Sequence, residues 1–175
     1  MIFDIKMEDF RRNARHVAGG NATVAPPTLT YMGVLSQDSV RIALTLAVFN
    51  DMEVKTSDIQ NEYLTAPCSE KIWTTLGSEL CPDLAGKKSL VFRAFYGIKS
   101  EHDSFINHLA ECMRNLVYLS CVADPDVWFK EETCLSGGDN YYAYFLLYVD
   151  YCLVINHAAD KALSELDHFF KIKSG

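Results

Sequence analysis

Hydrophobic positions are densest between Tyr144 and Ile155, where an apolar, aromatic and β-branched run encloses a single carboxylate, Asp150. The run is longer than an ordinary strand and its composition disfavours a helix, so it predicts two strands joined by a tight hairpin that turns at Asp150. An unpaired aspartate buried in such a run is costly. Asp150 therefore lies at a solvated turn, meets a cation or coordinates a metal.

Segments with helical periodicity flank this run. One helix, capped by Ser36 or Asp38, ends near Asn50; others cover 103–118 and 160–170. Apolar residues of the first helix fall at helical spacing and are expected in the core: Val40, Ala43, Leu44, Ala47 and Val48.

Shorter strands complete the pattern. Residues 53–64 predict a strand that ends in a carboxylate and leads into a turn, 71–76 a short alternating strand, 123–130 a turn followed by a strand, and 171–175 the start of another strand. Hairpins mixed with amphipathic helices predict the α+β class.

Length and composition indicate one globular domain. The chain has 175 residues, of which 49% are hydrophobic and 22% charged. No apolar run approaches the roughly 20 residues that a membrane helix needs, which argues against a membrane partner. Asp4 and Lys6 interrupt what would be the apolar core of a signal peptide, so we expect an intracellular protein, cytoplasmic or nuclear.

Charge and cysteines narrow the possible functions. The net charge of −7 disfavours nucleic-acid binding unless a local basic patch supplies it. The most basic stretch holds Arg11, Arg12 and Arg15. These arginines form either a binding patch of that kind or a solvated face. The six cysteines include no Cys-x-x-Cys pair, which predicts reduced, mostly buried thiols.

Three further residues allow two interpretations each when considered alone. Asp58 lies at the end of a predicted strand and is either a cap for the next turn or a functional carboxylate. Tyr63 is a core aromatic or a binding residue. Gly97 is a simple hinge between strand and helix or a point where another backbone or a ligand approaches closely.

Four motifs favour the functional interpretations. Tyr148-Val149-Asp150-Tyr151 differs by one residue from the Tyr-Val-Asp-Asp box of reverse transcriptases. Residues 90–100 resemble the Ala-Leu-Tyr-Gly-Leu-Lys-Gln-Ser box of the Ty1/copia group. Residues 6–20 resemble its Lys-Ala-Arg-x-Val-Ala-x-Gly strand, and residues 123–130 its Ala-Asp-Pro-Asp-Val-Trp turn and strand. Because they occur along the chain in the family's order and cover nearly all of it, they make the chain resemble the reverse transcriptase of a Ty1/copia-type retrotransposon, an RNA-directed DNA polymerase and nucleotidyltransferase of a transposable element.

The resemblance implies a fold and a domain organisation. It implies a polymerase palm, an antiparallel sheet backed by helices, with part of the fingers attached. Residues 1–35 would belong to the fingers and 36–175 to the palm, so that 1–175 is a fragment of the reverse transcriptase domain without thumb or ribonuclease H.

The resemblance also implies site residues and ligands. Metal ligands would be the Asp58 and Asp150 carboxylates and the Ile59 carbonyl, binding Mg²⁺ or Mn²⁺. The partners would be an RNA/DNA primer-template and a deoxynucleoside triphosphate. Residues that the family places at the nucleotide correspond here to Arg15, Asn61, Glu62, Tyr63 and Gly97, with Tyr63 excluding ribonucleotides. Residues expected to contact nucleic acid are Arg11, Arg12 and Lys99.

Tyr151 departs from the family pattern at the most consequential position. It replaces the second aspartate of the box with a neutral phenol of pKa about 10, a poor ligand for Mg²⁺. Because two-metal nucleotidyl transfer depends on positioning by oxygen ligands, this predicts a loss of several orders of magnitude in activity. Whether the chain is an enzyme stays open at this point; the alternative is a non-catalytic nucleic-acid-binding or structural remnant.

Overall fold

The chain divides into two compact units. A computed structural model describes residues 2–5, 12–15, 17, 34–60, 62–68, 71–94, 96–98, 100–134 and 137–174. Unit 1 comprises Met1–Thr30 and Tyr63–His108, and unit 2 comprises Tyr31–Glu62 and Leu109–Gly175. Length alone predicts one domain, but the chain leaves unit 2 after Glu62 and returns to it at Leu109. The assignment of 1–35 to fingers and 36–175 to a palm stays a prediction.

Strands and helices alternate irregularly along the chain. In chain order the described elements are β1 (Ile2–Ile5), β2 (Arg12–Arg15), α1 (Gln37–Phe49), β3 (Glu53–Ile59), α2 (Glu62–Thr65), β4 (Trp73–Thr75), a 3₁₀ turn (Pro82–Leu84), β5 (Lys88–Leu90), α3 (Glu101–Asn115), β6 (Leu119–Ser120), β7 (Val127–Thr133), β8 (Asn140–Tyr148), β9 (Tyr151–Asn156), α4 (Ala159–Asp167) and β10 (Ile172–Ser174). None of the described helices combines the length and apolar character that crossing a bilayer requires.

The described residues of unit 1 form two antiparallel strand pairs. β1 pairs with β2, with Ile2 opposite Arg15, and β4 pairs with β5, with Trp73 opposite Leu90. The Arg93 guanidinium donates a hydrogen bond to the Thr65 carbonyl. The sequence pattern predicted β4 but missed β5, since Lys88–Leu90 follow a polar loop and gain their partner only through the fold.

Unit 2 is built on an antiparallel sheet of six strands in the order β10-β3-β9-β8-β7-β6. Side chains directly opposite each other on neighbouring strands share a face of the sheet. We call the face that carries Asp58, Tyr151 and Leu146 the site face, and the face that carries Lys55 and Lys130 the network face. An antiparallel sheet with mixed helices agrees with the predicted α+β class.

Helices cover both faces of this sheet. Ala43 and Ala47 of α1 pack with Leu146 and Ile155 on the site face. On the network face, Lys130 Nζ of β7 lies 3.7 Å from Glu165 Oε2 of α4. The sheet is therefore covered by α1 on one side and by α4 on the other.

The helix predictions are confirmed in position and corrected in detail. Ser36 caps α1, because the Ser39 N–H donates to Ser36 Oγ at 3.0 Å. The core assignment is wrong for Leu44 and Val48, which are 40% and 82% exposed, because α1 meets the sheet through a narrow alanine stripe. The predicted strand 53–64 ends at Ile59, and residues from Glu62 to Thr65 are helical instead.

The cysteine prediction is confirmed for the oxidation state and wrong in part for burial. All six cysteines are free thiols. Cys112 and Cys152 are buried, whereas the other four are partly exposed. Burial raises the pKa of Cys152 to about 12, helped by the nearby Asp58 charge and opposed by a hydrogen bond from the Ser57 backbone. Its thiol is therefore protonated and unreactive at neutral pH.

A polar network fixes the ends of β7, β8 and β9 on the network face. Tyr141 Oη lies 2.7 Å from Asn156 Oδ1 and 3.0 Å from Glu132 Oε2. Lys130 Nζ lies 3.2 Å from Glu132 Oε1. Burial raises the pKa of Tyr141 to about 12, together with its hydrogen bond to Glu132 and that carboxylate's charge. The network orders the end of the sheet that lies away from the β8–β9 turn.

The start of α1 is tied to the loop before β7 by one buried carboxylate, Asp124. The Ser36 N–H and the Ser39 hydroxyl donate to Asp124 Oδ2 at 3.1 and 2.5 Å, and the Asp126 N–H donates to Oδ1 at 3.3 Å. Burial would raise the pKa of this carboxyl, but the hydrogen bonds from Ser39, Ser36 and Asp126 together hold it below its ordinary value.

We expect Asp124→Asn to lower the free energy of unfolding at neutral pH by about 1–2 kcal/mol, because charge-assisted hydrogen bonds become weaker or are lost. A lowered folded-state pKa stabilises the protein above the unfolded pKa and ceases to do so as the pH falls through the folded value. The free energy of unfolding of wild type should therefore fall as the pH drops below 3.8, the ordinary pKa of this carboxyl. The variant should lose less stability over the same pH range, and urea unfolding measures both. Asp139→Asn, at an exposed loop position, is the control; an equally steep acid loss in Asp124→Asn would contradict the assignment.

Helix α3 ends in an unusual backbone conformation at Val117. Its φ of 67° is left-handed, and the Tyr118 N–H reaches back to the Met113 carbonyl at 2.9 Å, as in a Schellman motif. Glycine normally occupies this position, because a Cβ there costs about 1–2 kcal/mol. Val117 is 70% exposed, so its side chain gains little from burial.

Val117→Gly should therefore raise the free energy of unfolding by roughly 0.5–1 kcal/mol, the relief of strain exceeding the entropy cost of glycine. Thermal unfolding should show a rise of about 2 °C in the midpoint. Val122→Gly, at a fully exposed valine without positive φ, carries only the entropy cost. A midpoint that falls equally in both variants would show that Val117 is not strained.

Candidate functional site

The predicted hairpin forms at Asp150. β8 and β9 are antiparallel, Tyr148 is the direct partner of Tyr151, and only Val149 and Asp150 lie between them. The turn prediction is therefore confirmed. Asp150 is partly exposed, so the first of the interpretations open to it, a solvated turn, is compatible with its position.

Val149 gives this turn a strained backbone. Its φ is 54°, although two-residue hairpin turns that need a positive φ usually take glycine or asparagine. For a β-branched residue such a conformation costs on the order of 1–3 kcal/mol and occurs most often at functional sites. Sequence reasoning missed this feature, because valine is a typical strand residue and carries no turn signal.

The fold brings the two candidate carboxylates to the same end of the sheet, Asp58 on β3 and Asp150 in the turn that precedes β9. β3 pairs with β9, Asp58 lies directly opposite Tyr151, and the Ile59 N–H donates to the Asp150 carbonyl at 2.7 Å. Asp58 is partly exposed and the adjacent Ile59 is 1% exposed, as expected where a strand emerges from the core. The backbones of the two aspartates therefore lie close together in space, although the residues are far apart in the sequence.

Tyr151 is the residue of β9 that lies nearest to Asp58, because the two are direct cross-strand partners. Because the hydrogen bond joins Ile59 to Asp150, the pair of Asp58 and Tyr151 is the non-hydrogen-bonded kind, in which Cα atoms approach to about 4.5 Å and side chains are closest. Tyr151 is 57% exposed and shares the site face with Asp58. A carboxylate at position 151 would lie against Asp58, whereas the phenol of Tyr151 adds no negative charge there.

A lysine lies on the opposite side of Asp58. Lys173 of β10 is the direct partner of Asp58 across the β10–β3 pair. The Ser57 hydroxyl donates to the Lys173 carbonyl at 3.0 Å, and the Gln60 N–H donates to the Lys171 carbonyl at 2.8 Å. Sequence reasoning predicted this strand but not its partner, since no local pattern tells which strand an edge strand will join.

The oxygen atoms at this end of the sheet are of the kind that hard divalent cations prefer. The candidate donors are the carboxylates of Asp58 and Asp150 and the carbonyl of Ile59. Among the residues that the structure describes, no group of three or more His, Cys, Asp or Glu side chains is arranged to hold a metal ion. The three candidate donors are oxygen atoms and therefore suit one hard cation chemically, but only two of them are carboxylates.

The remaining predicted site residues are only partly described. Gly97 has a φ of 91°, a conformation that favours glycine, as both its interpretations allow. Arg12 is exposed on β2. Arg15, Glu62 and Tyr63 are described for the backbone alone, and Arg11, Asn61 and Lys99 lie outside the described residues. Gly97, Tyr63 and the arginines belong to unit 1, whereas the two aspartates belong to unit 2.

Comparison with known proteins gives one informative relative. The chain is 29% identical over 133 residues to the retrovirus-related Pol polyprotein from transposon TNT 1-94 of Nicotiana tabacum. The matched region is 74% of this chain and 9% of that polyprotein, so the chain spans less than a tenth of its relative. No family model matches the chain, and no solved structure matches it significantly. The similarity supports an origin in the Pol polyprotein of a retrotransposon.

Proposed function

We propose that the chain is a fragment of the reverse transcriptase domain of a Ty1/copia-like retrotransposon whose nucleotidyl transfer is impaired by Tyr151. One observation carries the proposal: the β3–β9 register puts Asp58 opposite Tyr151 and joins Ile59 to Asp150 by a backbone hydrogen bond. The likeness to a retrotransposon Pol polyprotein supports the same origin. The ligands we propose are an RNA/DNA primer-template and a deoxynucleoside triphosphate.

In this proposal Asp58, Asp150 and the Ile59 carbonyl hold Mg²⁺ or Mn²⁺ at the open end of β3 and β9. When bound, such an ion supplies charge stabilisation for the attacking and leaving oxygens of phosphoryl transfer. The protein contributes the geometry: a rigid antiparallel ladder holds one carboxylate on β3 and the other in the adjoining turn.

Tyr151 weakens this arrangement for two physical reasons. A neutral phenol adds no negative charge to attract a divalent cation and is a poor ligand for it. It also occupies the non-hydrogen-bonded position beside Asp58, where a carboxylate could otherwise share a cation with Asp58. The proposed function is therefore a polymerase site that has lost an essential ligand rather than its scaffold.

Restoring the carboxylate tests the proposal directly. We expect Tyr151→Asp to raise Mg²⁺-dependent primer extension by at least about 100-fold over wild type, the rate equivalent of about 3 kcal/mol of charge stabilisation. Without metal, the new carboxylate beside Asp58 should lower stability by about 0.2–1 kcal/mol. Saturating Mg²⁺ should reverse this, seen as a rise in the unfolding midpoint absent from wild type.

Two controls isolate the position from the charge. Tyr142→Asp makes the same charge change on the site face, on the neighbouring strand β8 and away from Asp58, and should leave extension and the Mg²⁺ response at wild-type levels. Combining Tyr151→Asp with Asp58→Asn should remove both gains. Equal Mg²⁺ responses in the variants at 142 and 151 would contradict a metal site at this end of the sheet, and rapid extension by wild type would contradict impairment.

A further inference from the structure

Two exposed aromatic rings flank the β8–β9 turn. Tyr148 and Tyr151 are direct cross-strand partners and are 50% and 57% exposed. Partners of this kind have Cβ atoms about 4.5–5.5 Å apart, so the two rings are neighbours on the site face. Neither hydroxyl forms a hydrogen bond with any residue that the structure describes. They present apolar, polarisable surface to solvent.

Exposed cationic groups lie at the other end of the same cross-strand row. Following the register from β8 to β10, the row reads Tyr148, Tyr151, Asp58 and Lys173, and we call it the turn-end row. With strands about 4.8 Å apart, it is about 14 Å long. Lys173 is exposed, as is Lys171 just before β10, and neither is ion-paired within the described part of the chain.

Substituting a phenol for a carboxylate changes what this surface can bind. A second acidic side chain beside Asp58 would repel phosphate groups, whereas Tyr151 removes that charge and adds an aromatic face. Aromatic side chains exposed on a β-sheet, with cations nearby, are the features by which several sheet proteins bind unpaired bases. The change that weakens a metal site therefore improves a stacking surface.

We propose that the turn-end row binds single-stranded nucleic acid without a metal ion, an inference that rests on the proposed function only for the class of ligand. The rings of Tyr148 and Tyr151 stack on bases. Lys173 and Lys171 meet phosphate groups. The Asp58 carboxylate between them repels phosphate and accepts hydrogen bonds from base amino groups, which keeps the strand's bases toward the sheet. The net charge of −7 limits affinity, so binding is measurable at low salt.

The test measures fluorescence anisotropy of a labelled single-stranded oligo-dC of about 12 nucleotides, a length within the usual site range. The buffer holds EDTA, a reductant and about 50 mM salt, where phosphate contacts are strong. We expect wild type to bind and Tyr151→Ala to bind about 5- to 150-fold more weakly, the loss expected for one stacked base. Tyr151→Phe should bind as wild type, because it keeps the ring.

Matched variants separate this row from general surface effects. Tyr142→Ala removes a similarly exposed ring, at 49%, from the site face of the neighbouring strand β8, and should not change the affinity. Lys173→Ala should reduce the slope of log affinity against log salt by about 0.7, the value for one phosphate contact on a single strand. Lys161→Ala, on α4, should leave the slope unchanged.

The outcomes distinguish this inference from the proposed function. No binding by wild type in EDTA, or equal losses in the alanine variants at 142 and 151, would overturn the turn-end row as a binding surface. Tyr151→Asp should lose metal-free binding as the alanine variant does while gaining primer extension. Extension by Tyr151→Asp with no Tyr151-dependent binding would refute this inference alone. Tyr151-dependent binding with no gain of extension in Tyr151→Asp would refute the proposed function alone.

Discussion

The pairing of β3 with β9 is the constraint on which the candidate site depends. A hydrogen bond of 2.7 Å from the Ile59 N–H to the Asp150 carbonyl closes this ladder at the turn. Because side chains alternate along a strand, a slip of one residue would move Asp58 to the network face and expose the buried Ser57 and Ile59. The apolar burial of Ile59 therefore fixes the face on which the carboxylate emerges.

The rest of unit 2 stabilises this register from a distance. The polar network of Tyr141, Asn156 and Glu132 joins β7, β8 and β9 at the end far from the turn. Because these polar groups are hydrogen-bonded to one another, burying them costs far less free energy than burying unpaired polar groups would. Asp124 ties the start of α1 to the loop before β7, which holds the helix over Leu146 and Ile155. The strained turn at Val149 can persist because these flanking elements are firmly held.

The sequence predicted the elements better than their partners. Periodicity and caps located α1, α3 and α4, and the apolar run around Asp150 was long enough to require a turn. Prediction from the sequence failed where burial depends on distant residues. Leu44 and Val48 have the spacing of core residues but face away from the sheet. Asp58 and Asp150 were paired through family resemblance, whereas Lys173 was missed because cross-strand neighbours have no local signature. The left-handed valines at 117 and 149 were equally invisible, since valine normally signals a strand.

Strand β10 has a consequence for local stability. It has three residues, lies at the edge of the sheet, and is held to its surroundings by few groups, among them the Ser57 hydroxyl and the Asp167 carboxylate, which accepts from the Ile172 N–H at 3.0 Å. Short edge strands open locally at a small fraction of the global unfolding free energy, whereas central strands such as β9 exchange their amide protons only on larger openings. Asp58 of β3 thus borders a short edge strand, and local opening of that strand gives solvent access to one flank of Asp58 while the hairpin on its other flank stays folded.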